Sequence, residues 1–246
     1  MVRGCTLIPA HTADLLLIHV VCVKTWDVED LTTIYLVRHG ETEGNASNLA
    51  QGFSDVPLND KGRAQAKLVG ERLKNWHLNA IYSSDSQRAI QTAEPLLKLR
   101  PDFEIETTPD LREKNYGVCE NYSWQQLRDE YPELFAKMLD VKTGSDTKFP
   151  EGESDREQSD RVAKFTDAVV EKHDDDETIL FFGHGGSIRS AAAYLCKFRL
   201  EYKWRLQTDN ASISAISSAP TWRDDGWRIE RWNDTNHLSL AQLDLA

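Results

Sequence analysis

Short apolar segments alternate with amphipathic ones along most of this chain, and this alternation restricts its fold more than any other feature of the sequence. Short apolar runs are typical of buried strands. The clearest runs are Thr33–Val37, Ala80–Ser83, Thr178–Phe182 and Ser212–Ser217. Two further candidates are Phe103–Thr107 and Trp227–Trp232, and the second alternates as an edge strand does.

The segments between these strands carry apolar residues at helical spacing. In Lys61–Trp76 they recur on one face of a helix, at Ala64, Leu68, Val69 and Leu73. The other predicted helices are Ser86–Leu99, Trp124–Leu139, Glu157–Lys172 and Ser187–Cys196. Strands that alternate with helices predict an α/β fold, here a three-layer sandwich in which a mostly parallel central sheet is flanked by helices.

One stretch, near residues 114–155, breaks the alternation. It contains the predicted helix Trp124–Leu139 and then a loop rich in Gly, Ser, Asp and Thr. Ligands of such folds bind beside the carboxyl ends of the strands. We therefore expect this stretch to form a small helical lid inserted over that edge of the sheet.

No internal repeat or low-complexity linker divides the 246-residue chain, so residues 31–246 are predicted to form one domain. Residues 1–30 are predicted to form an N-terminal extension of unknown role. Their apolar segment, Leu15–Val23, is shorter than the roughly 20 residues that a membrane span needs. Neither the charge pattern of a signal peptide nor a cleavage site accompanies it.

The composition limits the partners and the compartment. A formal net charge of −11 disfavours broad contact with nucleic acid or with an anionic membrane. The four cysteines are scattered and form no C-x-x-C pair. This spacing predicts free thiols in a reducing compartment, and therefore a cytoplasmic protein.

Residues with cationic side chains follow three of the predicted strands directly. Arg38 and His39 come after the first, Arg88 opens the helix after the second, and His184 follows the third. The carboxyl ends of parallel strands meet at one edge of a sheet, where helix N-termini also present backbone N–H groups. Each of these residues alone is ordinary, but their coincidence at consecutive strand ends predicts a site for a compact anion.

Four phrases of the sequence carry a resemblance to a known family: LVRHGETEGN (36–45), SSDSQRAIQTA (83–93), LREKNYG (111–117) and FFGHGGSIR (181–189). In this order they resemble the histidine phosphatase superfamily, also called the phosphoglycerate mutase-like proteins. DVPLNDKGRAQA (55–66), PEGES (150–154) and DNASI (209–213) are similar to further phrases of that family. The similarity runs from about Thr33 to about Leu238 and leaves out the first thirty or so residues.

The resemblance implies a phosphoryl-transfer site at the strand ends. His39 corresponds to the nucleophile of the family, which carries the phosphoryl group as a phosphohistidine until water releases it. Arg38, Arg88 and His184 correspond to the residues around the phosphoryl oxygens. His184 is expected to be protonated beside the bound dianion. Since these side chains balance the charge of the phosphoryl group, no metal and no cofactor are expected.

The resemblance also implies a proton donor and several positioning residues. Glu113 corresponds to the acidic residue before a Tyr-Gly pair, and it is expected to protonate the leaving oxygen and then to activate water. A dianion nearby raises the pKa of such a carboxyl toward neutrality. Asn45 matches an asparagine that donates to the phosphoryl group. The remaining residues expected to position the substrate are Gln51, Gly52, Tyr116 and Gly185.

Phosphatases and mutases share this fold, so the resemblance leaves the reaction open. Cofactor-dependent phosphoglycerate mutases carry a long, arginine-containing insert after the Tyr-Gly pair, whereas the segment here is shorter and contains only Arg128. We therefore expect a phosphatase of small-molecule phosphomonoesters, with a phosphoglycerate mutase as the alternative. An inactive phosphate-binding regulatory module is a third hypothesis, which the intact set of catalytic residues disfavours.

One departure from the family pattern lies in the same segment. Many relatives have Trp-Glu-Gly after the Tyr-Gly pair, where this chain has Cys119-Glu120-Asn121. The difference leaves the packing of the lid and the choice of substrate open. The sequence likewise leaves open whether the chain forms a homodimer.

Overall fold

Six strands of the computed structural model form one sheet in the part of the chain that it describes, residues 31–218 and 226–243. They are β1 (Thr33–Arg38), β2 (Ala80–Ser84), β3 (Ile105–Thr108), β4 (Thr178–Gly183), β5 (Ile213–Ser217) and β6 (Arg228–Asp234). Each strand coincides, to within two residues at either end, with a segment predicted from the sequence. The extension predicted for residues 1–30 lies outside the described residues.

The strand order is β3-β2-β4-β1-β5-β6. β1 pairs in parallel with β4, and β2 pairs in parallel with both β3 and β4. β5 runs antiparallel to β1, and β6 runs antiparallel to β5. The predicted mostly parallel sheet is therefore confirmed, and the carboxyl ends of β1, β2 and β4 are neighbours at one edge.

The described α-helices are α1 (Glu43–Ala46), α2 (Asp60–Leu73), α3 (Gln87–Leu99), α4 (Trp124–Glu130), α5 (Pro132–Leu139), α6 (Asp155–Lys172), α7 (Gly185–Leu195) and α8 (Asn236–Leu243). The prediction of one helix over Trp124–Leu139 is wrong. Pro132 lacks a backbone N–H and is suited to the first turn of a helix, so the chain breaks at Tyr131 and starts α5. None of the described helices is long and apolar enough to cross a membrane.

Helices cover both faces of the sheet. Along β4, Ile179 and Phe181 pack with α6 and α7, whereas Leu180 and Phe182 pack with α2 and α3. All four side chains are at most 1% exposed. Burial on both faces explains why β4 is a continuous apolar run in the sequence, and it confirms the predicted three-layer sandwich.

The stretch between β3 and α6 forms the predicted helical insertion, with α4, α5 and short 3₁₀ turns. It has a small core of its own, built from Ala50, Tyr116, Cys119, Leu127, Phe135 and Phe149. Ala50 belongs to the loop after α1, and its carbonyl oxygen accepts from the backbone N–H of Asn121 at 2.8 Å. The insertion is thereby fastened to a loop that leads away from β1.

Candidate active site

A cavity of about 280 Å³ opens beside the carboxyl ends of β1 and β4. Seven of the ten residues predicted for the site line it: Arg38, His39, Asn45, Gln51, Glu113, Tyr116 and Gly185. They come from the end of β1, the region of α1, the segment after β3 and the start of α7. The other three, Gly52, Arg88 and His184, lie outside its lining.

His39 follows β1 directly and is 4% exposed. Its Nδ1 lies 2.7 Å from the carbonyl oxygen of Gly40, which can only accept, so Nδ1 carries the hydrogen and Nε2 carries the lone pair. Burial and then the charges of Arg88 and Arg38 lower the pKa of His39 well below its ordinary value of 6.5. The imidazole is therefore neutral at neutral pH, in the form that a nucleophile needs.

Asn210 holds the turn that carries His39. Its Nδ2 donates to the carbonyl oxygens of His39 at 3.1 Å and Gly40 at 3.3 Å, and to Oδ1 of Asn45 at 3.0 Å. The same Oδ1 accepts from the backbone N–H of Thr42 at 3.2 Å. Asn45 therefore has its amide nitrogen left to donate to an anion. The sequence does not single out Asn210, although the DNASI phrase contains it.

Arg88 and His184 do not line the cavity, and they bond to each other. Nε of Arg88 donates to Nδ1 of His184 at 3.2 Å, and Nε2–H of His184 donates to Oγ of Ser84 at 2.9 Å. Nη1 and Nη2 of Arg88 donate to the carbonyl oxygens of Ser54 and Gly52, each at 2.7 Å. Because both side chains are 0% exposed, their contact with phosphoryl oxygens stays a prediction.

The charge of His184 is set by its surroundings. Burial first and Arg88 second lower the pKa of His184 well below 6.5, so the ring is neutral in this structure. Its centroid lies 5.0 Å from that of His39. The protonated His184 expected beside a bound dianion is a different charge state and stays a prediction.

One carboxylate of the insertion fixes the loop that contains Gly52. Glu120 accepts from the backbone N–H groups of residues 52–54 at 2.9–3.1 Å and from that of Tyr116 at 3.0 Å. A Cβ at Gly52 would lie 2.0 Å from the carbonyl oxygen of Lys114, so only glycine fits there. Gly52 is thus required by the structure, its predicted contact with the substrate stays a prediction, and Glu120 ties this loop to the insertion.

Among the described residues, Arg38 and Arg189 each contribute a guanidinium group to the lining of the cavity. Nη1 of Arg38 donates to the carbonyl oxygen of Thr208 at 2.6 Å, while its buried Nε has no hydrogen-bond partner among the described residues. Burial lowers the pKa of Arg38 to about 10, which leaves it protonated at neutral pH. An anion in the cavity would satisfy the unpaired Nε, since buried donors normally have a partner.

Arg189 and Trp204 are among the lining residues that have no role in the sequence-based prediction. Arg189 stands four positions after Gly185 on α7, a spacing that places both on one face and that indicates its position. Its guanidinium carbon lies 5.0 Å from the ring centroid of Trp204. Trp204 belongs to a 3₁₀ helix, Leu200–Arg205, whose position beside the cavity no local pattern indicates.

Glu113 stands at the start of the insertion and accepts three hydrogen bonds. Oε2 accepts from the backbone N–H of Gly186 at 2.8 Å, and Oε1 accepts from that of Lys114 at 2.8 Å and from Nε2 of Gln158 at 2.9 Å. Partial burial favours the neutral acid, but these bonds outweigh it and lower the pKa of Glu113. The sequence does not reveal these donors, and the rise of the pKa expected beside a bound dianion concerns a different state of the site and stays a prediction.

A buried lysine extends the network around Glu113. Nζ of Lys203, which is 0% exposed, donates to Oε1 of Gln158 at 3.1 Å and lies 3.5 Å from Oδ1 of Asp155. Burial lowers the pKa of Lys203 to about 8, so it is largely protonated at neutral pH. Gln158 thus bridges Lys203 and Glu113 and fixes the orientation of the carboxylate.

The site as a whole combines a neutral imidazole, two lining guanidinium groups and a carboxylate around one small cavity. Donors fixed by hydrogen bonds stabilise developing negative charge without having to reorganise. The carboxylate lies on the same cavity as the imidazole and can exchange a proton with a bound group. This set of groups is suited to phosphoryl transfer, in which catalysis is mostly positioning and charge stabilisation.

Comparison with known proteins gives a consistent result. The model of the histidine phosphatase superfamily (branch 1) matches residues 34–235. The probable phosphoglycerate mutase GpmB of Yersinia pestis (strain Pestoides F) is 35% identical over 212 residues, 86% of this chain and 97% of that protein. A solved mycobacterial glucosyl-3-phosphoglycerate phosphatase is 26% identical, with a TM-score of 0.73, and the similarity covers 83% of this chain and 100% of that one. The structure of Bacillus stearothermophilus YhfR is 29% identical, with a TM-score of 0.74, over 84% of this chain and 99% of that one.

Proposed function

We propose that this chain, which belongs to the histidine phosphatase superfamily, hydrolyses small phosphomonoesters through a phosphohistidine on His39. The observation that carries the proposal is the state of His39, a neutral imidazole with Nδ1–H bonded to a carbonyl oxygen and with an unprotonated Nε2. Beside it, Arg38 and Arg189 line the same cavity. A nucleophile with a fixed tautomer next to cations is what phosphoryl transfer requires.

In the first step the lone pair of Nε2 on His39 forms a bond to phosphorus, and the ester P–O bond breaks. The departing oxygen takes a proton from Glu113, so the alcohol leaves neutral. The low pKa of Glu113 means that the carboxyl is ionised in the free protein. An arriving phosphate dianion favours its protonation from solvent before the transfer.

In the second step a water oxygen forms a bond to phosphorus and the P–N bond breaks. The electron pair returns to Nε2 of His39, and the proton of the water passes to Glu113. Inorganic phosphate is released, and the site is ready for another ester. The cations Arg38 and Arg189 donate to the non-bridging oxygens in both steps, so the scheme uses no metal ion.

The insertion supports hydrolysis over isomerisation. Its one arginine, Arg128, stacks on Phe135, with 5.4 Å between the guanidinium carbon and the ring centroid. Arg128 is not among the residues that line the cavity, so it does not supply the cation that would hold the carboxylate of a phosphoglycerate there. The mycobacterial structure described above, which is named as a phosphatase, also supports hydrolysis.

A phosphoglycerate mutase is the second candidate, supported by the 35% identity to the probable mutase GpmB. In a mutase the phosphoryl group returns from His39 to a phosphoglycerate instead of passing to water. The same histidine and the same cations serve both reactions. Only the acceptor of the phosphoryl group distinguishes the two.

The test is phosphate release in EDTA from p-nitrophenyl phosphate, sugar phosphates, phosphoserine and 3-phosphoglycerate, with 2-phosphoglycerate measured in the same samples. We expect hydrolysis without added metal, and a loss of roughly 10³-fold or more in His39→Ala, as when a nucleophile is removed from other enzymes. An acid-labile phosphoryl label on the wild-type chain should be missing from this variant. The matched control is His77→Ala, which changes an exposed histidine and should leave release unchanged.

The outcomes separate the candidate functions. Interconversion of phosphoglycerates with little phosphate release would establish the mutase instead. Neither reaction, with phosphate still bound, would establish the inactive binding module. Hydrolysis that stops in EDTA would contradict the metal-free scheme.

A further inference from the structure

A second cavity, of about 370 Å³, lies next to the first. Three residues line both cavities: Tyr116, Trp124 and Trp204. Much of the remaining wall comes from the end of α5 and the loop after it, including Leu139 and Val141. Because the two cavities share these aromatic walls, a ligand whose phosphoryl group lies at His39 has space for its other atoms in the second cavity.

The walls of the second cavity are apolar and exposed to an unusual degree. Trp124 is 37% exposed, Leu139 68%, Val141 47% and Trp204 48%. These are four of the eight large hydrophobic side chains that are exposed in the described part of the chain. Single exposed apolar residues are normal, but such a concentration marks a binding surface. Its concave shape beside the site favours a small ligand.

The charged groups of the second cavity already have partners. Lys114 is the only lysine or arginine in its described lining; its Nζ lies 2.9 Å from Oδ1 of Asp155, and it is 3% exposed. Asp140 accepts from two backbone N–H groups at 2.8 and 3.2 Å, and Glu201 lies 3.3 Å from Nε of Arg199. With three carboxylates and one paired lysine, this lining disfavours a second anionic group on the ligand.

We infer that the second cavity binds the alcohol portion of the substrate, and that this portion is an uncharged alkyl or aromatic group. The inference rests on the proposed function, because the phosphoryl group must be held at His39. Tyr116 and Trp124 pack edge to face, with ring centroids 6.0 Å apart, and offer apolar surface to both cavities. Phosphoserine and phosphoglycerates, which carry a carboxylate, are disfavoured substrates.

The test is the value of kcat/KM for ethyl, butyl and hexyl phosphate. Their alcohols leave with similar basicity, so differences report on binding of the chain rather than on reactivity. We expect kcat/KM to rise by up to about fourfold for each methylene that is buried. Phenyl and 2-naphthyl phosphate form a second pair, in which the larger ring should be preferred. A flat series, or faster hydrolysis of phosphoserine than of hexyl phosphate, would overturn the inference.

A charge on the wall should remove this preference. Leu139 is the last residue of α5, and Leu139→Glu should lower the hexyl-to-ethyl ratio of kcat/KM by about tenfold or more, because an ionised carboxylate is costly beside an apolar ligand. The matched control is Leu99→Glu, at the last residue of α3, where the leucine is 43% exposed and lines neither cavity. Its ratio should equal that of the wild type.

The results separate this inference from the proposed function. If every ester is hydrolysed with the same kcat/KM, and Leu139→Glu leaves the hexyl-to-ethyl ratio unchanged, the inference is rejected and the proposed phosphatase activity is retained. Failure to hydrolyse any ester, with no label on His39, would remove both. A ratio that falls equally in Leu139→Glu and Leu99→Glu would also reject the inference, since the effect would not come from the cavity.

Discussion

The first cavity has two walls that are built differently. On the strand-end wall, formed by Arg38, His39 and Arg189, each side chain donates to a backbone carbonyl oxygen at 2.6–2.7 Å. On the insertion wall, formed by Tyr116 and Trp124, aromatic rings pack edge to face at 6.0 Å. Hydrogen bonds fix the direction of the polar groups, whereas packing sets the shape of the aromatic side. In the proposed reaction the first wall would carry the chemistry and the second would select the alcohol.

Glu113 lies where the two walls meet, and its substitution should have the largest effect on them. Glu113→Gln removes the proposed proton donor and places an amide N–H₂ against donors that now bond to the carboxylate. We expect kcat/KM for an alkyl phosphate to fall by about 10²- to 10⁴-fold, as when a general acid is lost. Phosphate release from hexyl phosphate measures the effect.

The leaving group provides the control for this change. p-Nitrophenolate departs without a proton, so Glu113→Gln should reduce kcat/KM for p-nitrophenyl phosphate much less than for hexyl phosphate. Equal losses on both substrates would assign Glu113 to binding or folding and remove it as the proton donor.

Glu120 connects the two walls. Its substitution should have a smaller effect, which is a decrease in the free energy of unfolding. Glu120→Gln replaces an acceptor oxygen by a donor and leaves at least one of the four backbone N–H groups now bonded to the carboxylate without a partner. The free energy of unfolding should fall by about 1–3 kcal/mol. Urea denaturation measures this change. Glu133→Gln, at an exposed position of α5, is the control and should leave the midpoint unchanged.

The strand-end wall should also be visible in the pH dependence of stability, as the smallest of these effects. The pKa values of His39 and His184 lie well below 6.5 in the folded chain. The stability that these neutral imidazoles contribute is fully present above the unfolded pKa, about 6.5, and is lost as the pH falls through the folded values. For each group, the free energy of unfolding should fall by up to about 1.4 kcal/mol for every unit by which the pH is lowered in that interval.

Urea denaturation at several pH values between 7.0 and 5.5 measures the slope, since ordinary carboxyl groups titrate below this interval. The buried His237, whose pKa is also lowered, adds to it. His39→Gln should reduce the slope, whereas His77→Gln, at an exposed histidine, should not. A slope that is the same in both variants would mean that His39 is not held neutral by the fold.

Several features of the site follow from local sequence. Arg38 and His39 could be predicted as site residues because they follow a strand whose apolar run is unmistakable, and in a parallel sheet the carboxyl end is the ligand edge. Arg189 could have been predicted by the same reasoning, because it stands four positions after Gly185 on the same helix. Trp204 was not, because the position of its 3₁₀ helix depends on how α6 and α7 pack.

The sequence by itself determined the strands, the layers and the edge at which the site lies, because each depends on hydrophobic period or on neighbours along the chain. The tertiary structure decided the charge of each group. Glu113 is ionised because of donors 73 and 45 positions away, at Gly186 and Gln158. It also decided that Arg88 and His184 are buried outside the lining of the cavity and that a second, largely apolar cavity adjoins it. Hydrogen bonds and burial between distant segments set these properties, and no local pattern encodes such distances.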